Sequence, residues 1–348
     1  MYIPAHGTYL PSFRTYIPSD GTKNLSPIIM IFVVYQQQIF LNLTPATGKL
    51  YYLCWLITKH IRNYMMKKAL FLTTIFMCFF IVAQASGKVK TVSIKSDILG
   101  CTKYYNVYFP DGYKTSGKQY PVLYLLHGLS GTHETWAQNY DMARIVNETI
   151  ESGMCHPMII IMPDASGENA RHCGRHTGYQ NQEGWAYEDY FFNELIPHVE
   201  KTYRIIGDRA HRAIAGLSMG GHGTFMYASH HPEMFSSACP MSARLTGVTE
   251  VDEDHDQAYI DDMKNNDFVK KFPTYSAEKI KAMKTVRWLF DCGDDDKLLD
   301  GTLKMYMLMR EQGFNAELRV RNGGHAQRYW RDSLPLTLTF VSIGFTEH

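Results

Sequence analysis

His211-Arg212-Ala213-Ile214-Ala215-Gly216-Leu217-Ser218-Met219-Gly220-Gly221 is an apolar run that breaks on a serine set among glycines. Residues 211–215 read as a short buried strand. Residues 221–229 hold no proline, carry Phe225, Met226 and Tyr227, and read as a core-facing helix that His230-His231-Pro232 ends. A serine hydroxyl is a weak nucleophile in water. A sharp strand-to-helix turn lifts it out of a sheet and presents it to a base. The glycines of Gly216-Leu217-Ser218-Met219-Gly220 let strand and helix pack closely around that turn. The start of the helix sets backbone N–H groups and a partial positive charge beside Ser218, so the Met219 N–H is a candidate oxyanion donor.

The rest of the constellation follows in order. Residues 235–241 return to strand character. Residues 284–292 (KTVRWLFDC) read as another strand and run into Gly293-Asp294-Asp295-Asp296-Lys297. A carboxylate there can orient an imidazole by accepting its Nδ1–H, and three adjacent aspartates leave the choice open on chemistry alone. A helix over 299–312, closed by Gly313, leads to a last strand at 315–321. Asn322-Gly323-Gly324-His325 turns off its end, which makes His325 the candidate general base. Upstream, residues 120–126 (YPVLYLL) are a strong strand signal ending in His127-Gly128-Leu129-Ser130-Gly131. Leu129 N–H is the candidate second oxyanion donor, with Gly128 letting the backbone approach closely. Serine, acid and histidine in that order, with a donor loop after the third strand, is the arrangement of α/β-hydrolases. The base must be neutral to accept a proton, so activity is expected to fall on the acid side.

Gly216-Leu217-Ser218-Met219-Gly220-Gly221-His222-Gly223 resembles the elbow of the esterase D-like family of α/β-hydrolases. That group includes S-formylglutathione hydrolases, feruloyl and acetyl-xylan esterases of carbohydrate esterase family 1, and antigen 85-type mycolyltransferases. The resemblance extends through Tyr124-Leu125-Leu126-His127-Gly128, Tyr187-Glu188-Asp189-Tyr190, Glu194-Leu195-Ile196-Pro197, Asp291-Cys292-Gly293 and Gly323-Gly324-His325. It implies an α/β fold with a mostly parallel central sheet and helices on both faces. It selects Asp296 as the acid, since the family pattern is Gly, two variable residues, then Asp. It also implies that Tyr187-Glu188-Asp189 begins the helix leading into Glu194-Leu195-Ile196-Pro197, a mainly structural role, with a place for the Tyr187 ring near the site. No cofactor is implied. The activity implied is serine carboxylic ester hydrolysis through an acyl-enzyme. The alternatives are an acyltransferase using a sugar or other alcohol, and a non-catalytic carbohydrate-binding protein on a hydrolase scaffold.

Ahead of this domain, Met66-Lys67-Lys68 is followed by an apolar run over 69–82 and by Ala83-Gln84-Ala85. That is the pattern of a cleavable secretory signal with an Ala-x-Ala site, and the run is short for a membrane span of about 20 residues. The expected division is therefore 1–65 as a gene-start error or disordered extension, 66–85 as signal peptide, and 86–348 as the esterase domain. The product would be exported to the periplasm or beyond, with no stable membrane span in the mature chain. A genuine membrane-associated extension is the alternative. Lys+Arg 35 against Asp+Glu 34 gives no basic excess that would point to nucleic acid. The partner expected is instead a small-molecule or oligosaccharide ester. Cys239 and Cys292 lie in strand-like runs and read as buried packing residues.

Two loops are long enough to choose a substrate. Residues 164–184 follow a strand at 156–162 and carry Arg171-His172-Cys173-Gly174-Arg175-His176. Loops after strands gather at the carboxyl edge of an open sheet, where ligands bind. Arg171, His172, Arg175 and Tyr187 are accordingly candidates for a substrate rim. His172 and His176 lack an obvious third ligand and a helical face, so no metal is expected. Residues 244–283 stand where a cap over the site would be, with Tyr259, Met263 and Phe268 on one face of a short helix.

Overall fold

The computed structural model describes residues 56–68, 87–167, 179–182, 184–247 and 266–345. The chain divides into two compact units, Met1–Ala83 and Gln84–His348. In the first unit the described residues form one helix, 56–68, exposed along its length. No helix among the described residues is long and apolar enough to cross a membrane. Most of the expected leader lies outside the described residues.

Among the described residues the second unit is built on one eight-stranded sheet: β1 Lys88–Ser96, β2 Cys101–Phe109, β3 Val122–Leu126, β4 Ile159–Pro163, β5 Arg212–Leu217, β6 Ser237–Met241, β7 Arg287–Gly293 and β8 Ala316–Arg321. Their order across the sheet is β1-β2-β4-β3-β5-β6-β7-β8. β1 and β2 form an antiparallel hairpin, β2 joins β4 antiparallel, and every other pairing is parallel. Strands β3 to β6 are buried at every position, because helices cover both faces of a parallel sheet. The pleat divides the core in two. Tyr124, Leu126 and Ile214 face one apolar cluster; Leu123, Leu125, Ala213 and Ala215 face the other. This is the α/β-hydrolase fold.

Among the helices of the described residues are α1 Met142–Glu151, α2 Ile196–Thr202, α3 Met219–His230, α4 Leu299–Glu311 and α5 Gln327–Gly344. A helical turn at Tyr187–Tyr190 and a π segment at Phe191–Leu195 run straight into α2. Pro197 has no N–H for the carbonyl four residues back, and the wider turn falls just before it. Glu194 on that segment pins the β1–β2 turn by accepting from Asp97 N–H and Ile98 N–H at 3.0 Å each. At the carboxyl edge of the sheet, β3 opens into residues 127–131, β5 into Ser218, β7 into Asp296 and β8 into His325. Four separate stretches of sequence thus converge on one place.

Candidate active site

Ser218 sits between β5 and α3 with φ 55° and ψ −113°. That is a strained region for any residue with a Cβ. The turn is over-determined: Ser218 N–H donates to Met241 O at 2.9 Å, and Ser218 O accepts from His222 N–H at 2.9 Å. The neighbouring glycines serve close approach rather than turn conformation. A Cβ on Gly216 would stand 2.5 Å from Gly220 O, and one on Gly220 would stand 2.6 Å from both Leu126 O and His127 O.

His325 bridges the serine and one aspartate. Its Nδ1 lies 3.0 and 2.9 Å from the two carboxylate oxygens of Asp296, and its Nε2 lies 3.0 Å from Ser218 Oγ. An ionised carboxylate only accepts, so Nδ1 carries the proton. Nε2 of the neutral ring is then the acceptor, and the Ser218 hydroxyl donates to it. The Asp296 side chain is wholly buried. Burial opposes its ionisation, but hydrogen bonds from His325 and Leu298 N–H outweigh that and hold the carboxyl below its usual range. The run of three aspartates is divided by role. Asp294 accepts Gly323 N–H at 2.8 Å and so holds the loop bearing His325. Asp295 is exposed.

The histidine loop rests on a second buried carboxylate that the sequence did not single out. Asp291 on β7 accepts Tyr329 OH at 2.5 Å and Arg321 Nη2 at 3.2 Å, and the Arg321 guanidinium lies 4.6 Å from the Tyr329 ring centroid. Trp330, at the start of α5, stands edge-on to His325 with ring centroids 4.8 Å apart at 89°.

The loop after β3 is packed against the nucleophile. A Cβ on Gly128 would lie 2.6 Å from Leu217 Cδ1 and 3.6 Å from Ser218 Cβ. His127 Nδ1–H donates to Gly128 O at 2.8 Å, and Gly131 N–H donates to the same oxygen at 3.1 Å. In a trans peptide the C=O of Gly128 and the N–H of Leu129 point opposite ways, so these bonds also aim the Leu129 N–H. Met219 N–H, first in α3, has no carbonyl of its own helix to bond. Met219 thus adjoins the serine at the start of α3, and Leu129 follows the glycine packed against it.

His127 is itself buried, and its Nε2 accepts Ala165 N–H at 2.9 Å. Tyr179 OH donates to His127 O at 2.9 Å. Burial pushes the His127 pKa down to about 4, partly offset by the bond to Gly128 O. The folded state thus resists a proton that the unfolded chain takes up near pH 6.5. The resulting stability is present above that pH and is lost as the pH falls from about 6.5 towards 4, by about 3 kcal/mol at most. Urea unfolding at pH 7 and pH 5 is expected to show the decline. The His127→Gln variant should show a shallower one; equal slopes would mean the loss comes from other groups.

Of the expected rim residues, Arg171, His172 and Arg175 lie outside the described residues. Tyr187 is not a rim residue. It is fully buried, and its hydroxyl donates to Asp164 O at 2.9 Å, so it anchors the start of the loop after β4. The expected cap lies partly outside the described residues. Phe268 is buried against His222, 4.9 Å between ring centroids, and against Phe225 at 5.1 Å. Cys239 and Cys292 are buried thiols as expected, and so are Cys101 and Cys155.

Comparison with known proteins agrees with this geometry. The family model "Esterase", described as "Putative esterase", matches residues 96–341. An "Endo-1,4-beta-xylanase/feruloyl esterase" of Xylanibacter ruminicola is 30% identical over 256 residues, which are 71% of this chain and 30% of that protein. The chain thus spans under a third of that relative's length. An "Acetyl esterase" of Caldicellulosiruptor saccharolyticus is 24% identical over 64% of this chain and 83% of its own. Among solved structures, a "ferulic acid esterase" superposes with a TM-score of 0.70 at 37% identity, covering 75% of this chain and all of that one.

Proposed function

Because the chain belongs to the Esterase family, we propose that it is a serine carboxylic ester hydrolase that works through an acyl-enzyme. The observation that carries this is the single imidazole set 3.0 Å from Ser218 Oγ and within 3.0 Å of both Asp296 oxygens. Ser218 Oγ attacks the ester carbonyl as its proton passes to His325 Nε2. Asp296 stabilises the imidazolium that forms. The N–H groups of Leu129 and Met219 receive the developing oxyanion, where each such donor contributes about 3 kcal/mol. His325 returns the proton to the leaving alcohol, and the acyl group stays on Ser218. Water then enters by the same groups in reverse and releases the acid.

The substrate class follows from the relatives and from the leader pattern. Feruloyl and acetyl esterases among the relatives favour acyl esters of plant polysaccharide. The Met66-Lys67-Lys68 run, the apolar stretch after it and Ala83-Gln84-Ala85 favour export, with 86–348 as the mature domain. The test is a panel of p-nitrophenyl acetate, methyl hydroxycinnamates and feruloylated or acetylated xylooligosaccharides. Hydrolysis is expected on the activated ester and on at least one cell-wall ester. Turnover of no ester would defeat the reading. Product transfer to an added alcohol, rather than to water, would make the protein an acyltransferase.

A further inference from the structure

We infer that Tyr179 is a strut between the nucleophile helix and the loop after β3, and that it sets the spacing of the two oxyanion donors, Met219 N–H and Leu129 N–H; the inference rests on the esterase reading above. The donors stand on separate elements, Met219 on α3 and Leu129 on the loop. Tyr179 is fully buried and touches both elements. On the α3 side its ring lies on Gly223, where a Cβ would stand 2.7 Å from Tyr179 Cδ2 and 2.8 Å from Cγ. One turn further along α3, Tyr227 OH donates to Tyr179 O at 2.6 Å. On the loop side, Tyr179 OH donates to His127 O at 2.9 Å. The last glycine of Gly220-Gly221-His222-Gly223 thus serves to admit this ring.

The backbone of Tyr179 supports the assignment. Its φ is 70°, a left-handed value rare for a bulky side chain. Such strain persists only where the surroundings over-determine it. The ring on Gly223 and the two hydroxyl bonds do so here. The bond to His127 O matters because of where that oxygen lies. It belongs to the peptide before Gly128. Gly128 O belongs to the peptide after it, the one that carries the Leu129 N–H. A glycine joint turns freely, so the peptide on each side needs its own hold. Tyr179 OH holds the first, and His127 Nδ1–H and Gly131 N–H hold the second. His127 O also lies against the first turn of α3, where a Cβ on Gly220 would stand 2.6 Å from it. Burial pushes the Tyr179 pKa well above its usual value, so the hydroxyl keeps its proton and donates. Tyr179 acts through the backbone of another residue and is therefore a positioning residue.

The test uses the full chain carrying Tyr179→Phe, with Tyr227→Phe as comparison and p-nitrophenyl acetate as probe. Tyr179→Phe keeps the ring on Gly223 and removes the bond to His127 O. Tyr227→Phe loses a buried hydroxyl bond to the same residue and leaves the bond to His127 O in place. Tyr179→Phe is expected to lower kcat about tenfold, less than the roughly 10²- to 10³-fold of losing a donor outright, with KM within about twofold. Tyr227→Phe should hold kcat within about threefold of the parent. Phenyl trifluoromethyl ketone gives a second readout. Ser218 Oγ adds to its carbonyl carbon, the proton passes to His325, and the oxygen becomes an anion facing the same donors. Its affinity should fall in Tyr179→Phe by the factor that kcat/KM falls. The acid-side fall of kcat/KM with pH should stay where it is, since His325 and Asp296 keep their contacts. Unchanged kcat or unchanged ketone affinity in Tyr179→Phe would overturn the strut. So would equal losses in the two variants, which would mean a general loosening of the core. If Tyr179→Phe does not fold, Gly223→Ala, which presses a methyl on the ring, carries the same two readouts and is overturned by the same results. An inactive parent protein would instead condemn the esterase reading itself.

Discussion

Ser218→Ala is expected to abolish ester turnover, with kcat falling on the order of 10⁴- to 10⁶-fold. The substitution removes one oxygen from a site whose other parts remain. His325 still faces Asp296, and the change leaves the backbone N–H groups of Leu129 and Met219 in place. Substrate binding should persist, so the loss should fall on kcat far more than on KM. The fold should survive, because the backbone bonds of residue 218 to Met241 O and His222 N–H do not involve the side chain. Turnover of p-nitrophenyl acetate by wild type and variant, with a thermal melt of each, is the measurement. A loss under about tenfold with an intact fold would mean another nucleophile does the work.

The second large effect separates the aspartates. Asp296→Asn should lower kcat by about 10⁴, since an amide in place of the carboxylate permits the wrong imidazole tautomer and cannot stabilise imidazolium. Asp294→Asn should cost far less. Asp294 uses a carboxyl oxygen to accept Gly323 N–H, and an asparagine carbonyl can accept the same bond. The pair is informative because the two residues are two positions apart and both serve the histidine loop, one by chemistry and one by holding backbone. Equal losses would mean that the loop, and not the acid, limits the rate.

The turn at Ser218 and the order of acid and histidine were legible because each is a local pattern: an apolar strand, a break, a helix. The limits of elements were less so. The strand expected at 120–126 starts at Val122, beyond Pro121, whose carbonyl accepts Ile159 N–H but which has no N–H to give. The strand expected at 211–215 starts one residue later, because Asp208 accepts His211 N–H and winds 209–211 into a tight turn. The β1–β2 hairpin carries lysines on an edge and half-exposed faces, which mutes its apolar signal. Tyr187 misled because a motif fixes where a residue lies in the chain and not which way its ring points. Ser242 and Trp330, whose indole N–H donates to the Ser242 hydroxyl at 3.0 Å, had no signal of their own. Their 88-residue separation is closed only when β6 and α5 pack together, and a hydroxyl after a strand is otherwise ordinary.

The backbone at residue 218 sets a conflict between endurance and use. Glycine adopts a positive φ of 55° freely, whereas serine holds it at a cost of about 1–3 kcal/mol. A glycine there would make a sturdier molecule with nothing left to attack with. Breeding this protein for heat tolerance alone would accordingly push position 218 towards sterility, and only a demand for turnover in each round keeps the hydroxyl in place.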